Sequence, residues 1–280
     1  MASRLLPFTK VQGLGNHFAL IEERHGPCDW SALAKDLSRD HFAVGADGVL
    51  VVGPSEIADL RMHYFDPEGT DDMCGNGLRC VALYAFRHGL TPARMTVETI
   101  AGVRACEVLD SGLIRTAMGE PRRDPASLPA AVEGLRDLTD YPLEVLGRTF
   151  LLTCISNGTP HAVILADEEL DDPRWEAWSE VIERHPLFPE RTTVDWVRVL
   201  SRDRVRMRPW ERHLGETFAC GTGAAAAAVA CILHGLTDRV VDVQMKGGTL
   251  RIEWPEGQEV SAVGEAAIVY TGTYPCRHEE

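Results

Sequence analysis

The chain's 280 residues suffice for one large domain or two ordinary ones, each with a full hydrophobic core, and 45% hydrophobic with 25% charged residues is an ordinary globular composition. Acidic residues outnumber basic ones 42 to 28, a formal net charge of −14, which repels phosphate backbones and anionic surfaces and argues against nucleic acid or membrane as a general partner. No segment has the length of a membrane span, and the opening MASRLLPFTKVQGLGN, interrupted by Pro7 and Lys10, does not read as a signal peptide, so a cytoplasmic location is expected.

In chain order, ALIEE (19–23) and GVLVV (48–52) read as strands. Cys74 then stands at a glycine-rich turn, CGNG, that opens a helix, and Gly89 of HGLT ends it at a left-handed C′ position. MTVETI (95–100) is a further strand, and GEPRRDPASLPA (119–130), with three prolines, reads as a linker. The second half repeats the plan. HAVILA and DWVRVL are strands, Cys220 opens a second helix in CGTG, Gly235 of a second HGLT ends it, and VVDVQM follows. One constant interval separates Cys74 from Cys220, His88 from His234, Val97 from Val243 and Gly102 from Gly248, which points to a duplicated unit. The reading is α+β, with two pseudo-symmetric domains: 1–119 plus 266–280, and 120–265. The helix after Cys220 is small and apolar on all sides, as expected of a buried rod sheathed by strands.

The eight cysteines include no CxxC pair, so neither a zinc ribbon nor a thioredoxin-type site is indicated, and no metal is expected. Cys80 and Cys231 fall inside the expected helices as core residues, and Trp175, Trp178 and Trp196 as packing. Cys74 and Cys220 differ from them. A thiol at a helix N-terminus is biased toward thiolate by free N–H groups and the helix dipole, and the same end binds carboxylates. Two such ends on duplicated halves, if they face each other, place two sulfurs on opposite sides of one α-carbon. One thiolate removes the proton, the opposite thiol returns one, and backbone donors stabilise the carbanion through its carboxylate. A pyridoxal enzyme instead requires a Schiff-base lysine. The chain's lysines, Lys10, Lys35 and Lys246, lie in no convincing motif, so no cofactor is expected.

MCGNGLRC (73–80) and ERHLGETFACGTGAAAAA (211–228), supported in order by GLGNHF, GADGVL, GTPHAV and KGGTLRIEW, resemble the diaminopimelate epimerase family over nearly the whole chain. The resemblance implies two β-barrel-like domains, each wrapped round a central helix, no cofactor or metal, and a homodimer. It implies Cys74 and Cys220 as the catalytic pair, and Gly75, Asn76, Gly221 and Thr222 as donors to the reacting carboxylate. It also implies Asn16, Glu211 and Arg212 as substrate contacts, with Arg212 on the distal carboxylate, and His161 in support. Several positions depart from the family pattern. Asp66, Thr159 and Thr193 replace asparagines that read the far end of the substrate, and His213 replaces a glycine. Asp66 has two readings: it pairs with Arg212 or a substrate cation, or it points to solvent. The expected reaction converts LL-diaminopimelate to the meso form. The alternatives are a two-cysteine racemase of another amino acid, such as histidine, and a thiol redox or binding protein.

Overall fold

The computed structural model describes residues 4–26, 28–132, 134–166 and 170–276. It divides the chain into two compact units, one running through Thr116 and resuming at Gly264, the other Ala117–Val263. The outermost ends expected for the first domain, 1–3 and 277–280, lie outside the described residues.

The first unit opens with β1 (Arg4–Gly13) and β2 (Asn16–Glu22), an antiparallel hairpin whose turn is made by Leu14 and Gly15, both at positive φ. After α1 (Trp30–Leu37) come β3 (Val49–Gly53), parallel to β2, then β4 (Leu60–Phe65) and the short β5 (Asp71–Asp72). Next are α2 (Gly75–Arg87), β6 (Arg94–Thr99), β7 (Gly102–Val108) and β8 (Ile114–Gly119). Strands β1–β4, β6 and β7 all touch α2, so the helix is enclosed by them. Its Leu78, Cys80, Val81, Ala82 and Ala85 are buried among Val11, Phe18, Leu50, Met62, Val97 and Ile114.

The second unit repeats this order. It contains β9 (Tyr141–Val145), β10 (Arg148–Ser156), β11 (Pro160–Leu165), α3 (Trp175–Glu183), β12 (Thr193–Ser201), β13 (Arg204–Glu211) and β14 (Gly215–Glu216). Then follow α4 (Gly221–Leu233), β15 (Val240–Met245), β16 (Gly248–Glu253) and β17 (Val260–Gly264). Here β11 and β12 are the parallel pair, as β2 and β3 are in the first unit. The all-apolar α4 is buried from Gly221 to Cys231 against β10–β13, β15 and β16, as its lack of a polar face demands. The chain then returns to the first unit as β18 (Ala267–Cys276), antiparallel to β1.

Both core helices end alike. Leu90 N–H donates to Ala85 O and Gly89 N–H to Phe86 O, and the same two bonds join Leu236 to Cys231 and Gly235 to Ile232. Gly89 and Gly235 have φ of 67° and 68°, which completes the paired Schellman motifs. The reading of 119–130 as a linker is corrected. Arg122 exchanges both backbone hydrogen bonds with Ser156, Asp124 caps a 3-10 turn at Pro125–Ser127, and Ala131 N–H reaches Leu187 O, so the prolines shape an ordered edge of the second unit. The reading also passed over α1 and α3. Helix α1 is short, and its start is signalled only by Asp29, which accepts from Ala32 N–H. Helix α3 hides its helical spacing of Trp175, Trp178, Ser179 and Ile182 behind residues that packing alone explains, and all four are buried. Trp178 and Trp196 stack at 5.9 Å, and Phe150 meets both edge-on.

A Cβ at Gly89 or Gly235 meets nothing within 4 Å, so the backbone conformation alone decides the effect of adding one. Gly89→Ala and Gly235→Ala are each expected to lower stability by about 1–2 kcal/mol, read as a lower Tm with an unchanged circular dichroism spectrum.

Candidate active site: two cysteine-capped half-sites

Each cysteine is the N-cap of its core helix, in extended conformation (φ −130°, ψ 108° for Cys74; −120°, 115° for Cys220). Each sulfur accepts a hydrogen bond from the third helical residue, Gly77 N–H at 3.3 Å and Gly223 N–H at 3.4 Å. Serine or aspartate oxygen ordinarily fills this place. Both glycines sit in close packing: a Cβ on Gly77 would lie 2.7 Å from Leu50 Cδ2, and one on Gly223 2.6 Å from Asp195 Oδ1, so either would force its neighbour to move.

Around Cys74 the network is built of amides. Asn16 Oδ1 lies 3.9 Å from the sulfur and accepts from Asn76 Nδ2 at 3.2 Å. Asn16 Nδ2 donates to Asp47 Oδ2 at 2.7 Å, and His17 N–H donates to the same oxygen at 2.8 Å. Asn76 Oδ1 accepts from Arg79 Nη2 at 2.6 Å. Arg79 has no exposed surface and also donates toward the Glu265 and Gly75 carbonyls at 3.4 and 3.5 Å. A guanidinium only donates, so it fixes which end of the Asn76 amide faces inward, and Asp47 fixes Asn16 in the same way. Lys10, drawn down by burial and held up by Asp47 and Asp40, donates to Gly45 O and ties the GADG loop to β1.

Around Cys220 the network is built of hydroxyls and titratable groups. Thr222 Oγ1 lies 3.5 Å from the sulfur and 3.2 Å from Thr159 Oγ1. Thr159 is 3.0 Å from His161 Nε2, and His161 Nδ1 is 2.8 Å from Asp195 Oδ2, with both side chains of that pair wholly buried. Asp195 Oδ1 finds no donor among the described residues. The Glu211 carboxylate takes hydrogen bonds from Thr217 and Cys220, and burial pushes it above the usual carboxylate range. Burial, then Glu211 and Asp195, push the Cys220 thiol well up, so it keeps its proton at neutral pH. Burial likewise pushes Cys80, Cys106, Cys154 and Cys231 up to about 12, the behaviour of packing thiols.

The sequence-predicted residues therefore fall into two clusters: Cys74, Gly75, Asn76 and Asn16 in one unit, and Cys220, Gly221, Thr222, Thr159, His161 and Glu211 in the other. Thr193 lies beneath Arg212, whose backbone N–H donates to Thr193 Oγ1 at 3.2 Å. Arg212 Nη1 reaches Glu190 O at 3.3 Å. Asp66 engages its own loop, where Oδ1 accepts from Glu68 and Thr70 N–H at 2.9 and 2.8 Å. His213 adopts φ 68°, the conformation for which glycine is the relaxed choice.

Sequence reasoning missed Arg79, Asp47, Asp195 and Glu183. Glu183, 2% exposed, holds the 210–213 turn by accepting from Trp210 Nε1 and His213 N–H. The available signals were a charge on the buried face of the first core helix and lone acids in apolar strand and helix contexts.

Gly223→Ala is expected to cost about 1–3 kcal/mol by overpacking and to push the Asp195 carboxylate off His161. A lowered Tm checks the first effect, and an altered imidazole NMR resonance of His161 checks the second.

Comparison with known proteins gives a consistent result. The family model described as diaminopimelate epimerase matches residues 8–123 and 153–272. The curated diaminopimelate epimerase of Pelotomaculum thermopropionicum is 45% identical over 279 residues, covering 96% of this chain and 99% of that protein. That of Desulfovibrio desulfuricans is 42% identical, covering 96% and 98%. Among solved structures, a probable proline racemase from Agrobacterium radiobacter superposes with a TM-score of 0.71 at 14% identity, covering 95% of this chain and 92% of that one, which shows a shared fold.

Proposed function

The chain belongs to the diaminopimelate epimerase family, and we infer that Cys74 and Cys220 are the acid–base pair with which it inverts an α-carbon of diaminopimelate. The enzyme is an isomerase, interconverting the LL and meso forms. The observation that supports the mechanism is the duplicated device: two helices, each begun by a sulfur that accepts an N–H bond, each with glycine in its first turn.

In this reading the reacting carboxylate is held by N–H groups of Gly75, Asn76, Gly221 and Thr222, where the helix dipoles favour negative charge. One sulfur takes the α-proton as the other delivers its own to the opposite face. Cys220, kept protonated by burial and by two carboxylates, is the acid in the resting enzyme, and Cys74, with the Arg79 guanidinium in its neighbourhood, is the base. The substrate isomer whose α-hydrogen faces Cys74 reacts from that state, and its product leaves the proton on the other sulfur. Arg212 grips the distal carboxylate, with its backbone set by Thr193. Asn16, held by Asp47 and Asn76, orients the substrate. Asp66 contributes by shaping its loop.

The departures at Thr159, Thr193, Asp66 and His213 raised a different amino acid as the substrate. Relatives of more than 40% identity over nearly the full length carry the diaminopimelate epimerase name, and the findings favour neither that alternative nor a thiol redox protein. Cys74→Ser and Cys220→Ser are each expected to reduce epimerisation of LL-diaminopimelate by about 10²–10⁴-fold. The assay is α-proton exchange in deuterated water followed by NMR, and a single serine variant that keeps the wild-type rate sinks the two-thiol reading.

A further inference from the structure

The half-sites share a backbone plan but differ in what stands behind the sulfur. Across the parallel pair β2–β3, Leu20 faces Leu50, and across β11–β12, Val163 faces Asp195. Phe18 and His161 lie two residues before Leu20 and Val163. Leu50 and Asp195 are also the side chains that a Cβ on Gly77 and on Gly223 would strike. The buried apolar pair Phe18 and Leu50 of the first unit is thus replaced by the buried pair His161 and Asp195 in the second.

Stability gives no reason for this exchange, because a buried imidazole–carboxylate pair is no better than a well-packed apolar one. The pair instead continues outward, through Thr159 and Thr222 to Cys220. The corresponding positions at Cys74 are Asn16 and Asn76, amides whose donor and acceptor ends are pinned by Asp47 and Arg79. Hydroxyls have no such polarity and reverse direction by rotation. With Asp195 accepting from Nδ1–H, His161 presents Nε2 as an acceptor. As the structure stands, Thr159 Oγ1 donates to Thr222 Oγ1 and the Cys220 thiol to Glu211; rotation of the two hydroxyls and the thiol turns the line, so that Cys220 S–H donates to Thr222, Thr222 to Thr159 and Thr159 to Nε2.

We propose that Asp195 is a positioning residue for Cys220: it fixes the His161 tautomer so that the Thr159 and Thr222 hydroxyls carry the thiol proton to and from the imidazole. The S–H bond of Cys220 breaks as Thr222 gains that proton. Thr222 passes its own to Thr159, and Thr159 passes its own to Nε2. The result is a thiolate and an imidazolium held against Asp195; the reverse sequence restores the thiol, and nothing is oxidised or reduced. The relay answers a specific difficulty. Cys220 is surrounded by Glu211 from β13 and Asp195 from β12, both of which oppose its ionisation, yet a reversible epimerase needs it as a base in one direction. Glu211 also meets both Cys220 and His161 electrostatically and is the competing proton acceptor.

The proposal rests on Cys220 being catalytic and is tested on the full chain with Thr159→Val, Thr159→Ser and Asp195→Asn. Thr159→Val is expected to lower kcat at least tenfold with KM changed less than twofold, and Thr159→Ser to restore it. The pH dependence of iodoacetamide alkylation at Cys220, followed by peptide mass spectrometry, gives a readout with a decisive sign. Removing a buried negative charge alone moves the Cys220 midpoint down. Loss of the carboxylate that holds the imidazolium moves it up in Asp195→Asn, with the Cys74 midpoint unchanged, whereas Thr159→Val interrupts the path alone and is read by its rate. A downward shift in Asp195→Asn, or a wild-type kcat in Thr159→Val, overturns the proposal. Thr159→Val changes no charge and keeps the side-chain shape, so it decides the matter even where Asp195→Asn fails to fold. Full activity of Cys220→Ser defeats the two-thiol reading itself; a required Cys220 with an indifferent Thr159 defeats only the relay.

Discussion

The site rests on one hydrogen bond, made twice: a glycine N–H in the first turn of a core helix donating to the sulfur of the residue that starts it. Sulfur is a weak acceptor as a thiol and a strong one as a thiolate, so the bond strengthens when the sulfur is ionised. It also aims the sulfur across the helix mouth, where the free end of the dipole draws a carboxylate. The surrounding architecture keeps this arrangement intact. Both helices are sheathed by strands, the third residue has no room for a side chain, and both helices end on a left-handed glycine. Small movements of either helix would misplace the sulfur, and close packing resists them.

Duplication supplies two such mouths, and divergence has made them unequal. Behind Cys74 lies a buried guanidinium that locks a row of amides. Behind Cys220 lie two carboxylates, an imidazole and two hydroxyls. Burial and the two carboxylates hold the proton on Cys220. The cost is visible in Asp195, one oxygen of which has no donor among the described residues.

Much of this was readable from the amino acids because it was written in glycine, cysteine and spacing. CGNG and CGTG, each followed by HGLT, identify helix starts and stops whose chemistry is local, and the recurrence of both at one interval reveals the duplication. The strands MTVETI and VVDVQM fell almost where their alternation put them. What escaped was non-local. Asp195 reads as an ordinary acid in TVDWVRV until the β11–β12 register sets it behind the second helix. Arg79 reads as a surface charge until strands enclose its helix on every side. Thr159 looked like a weakened copy of an asparagine, yet its meaning depends on two partners distant in the chain. The prolines of 119–130 mislead for the opposite reason, since local stiffness marks a linker and an ordered edge equally well.

The return of β18 to β1 sets an order of events during synthesis. The ladder from Arg4–Cys276 to Gln12–Ala267 joins residues separated by almost the entire polypeptide, with all of the second unit lying between them. On the ribosome the second unit has every strand it needs while the first still lacks one. The second unit can therefore complete its sheet before the first, against the usual N-terminal-first order. Until β18 is made, the edge of β1 that pairs with it has no partner in the nascent chain, and an open strand edge favours aggregation.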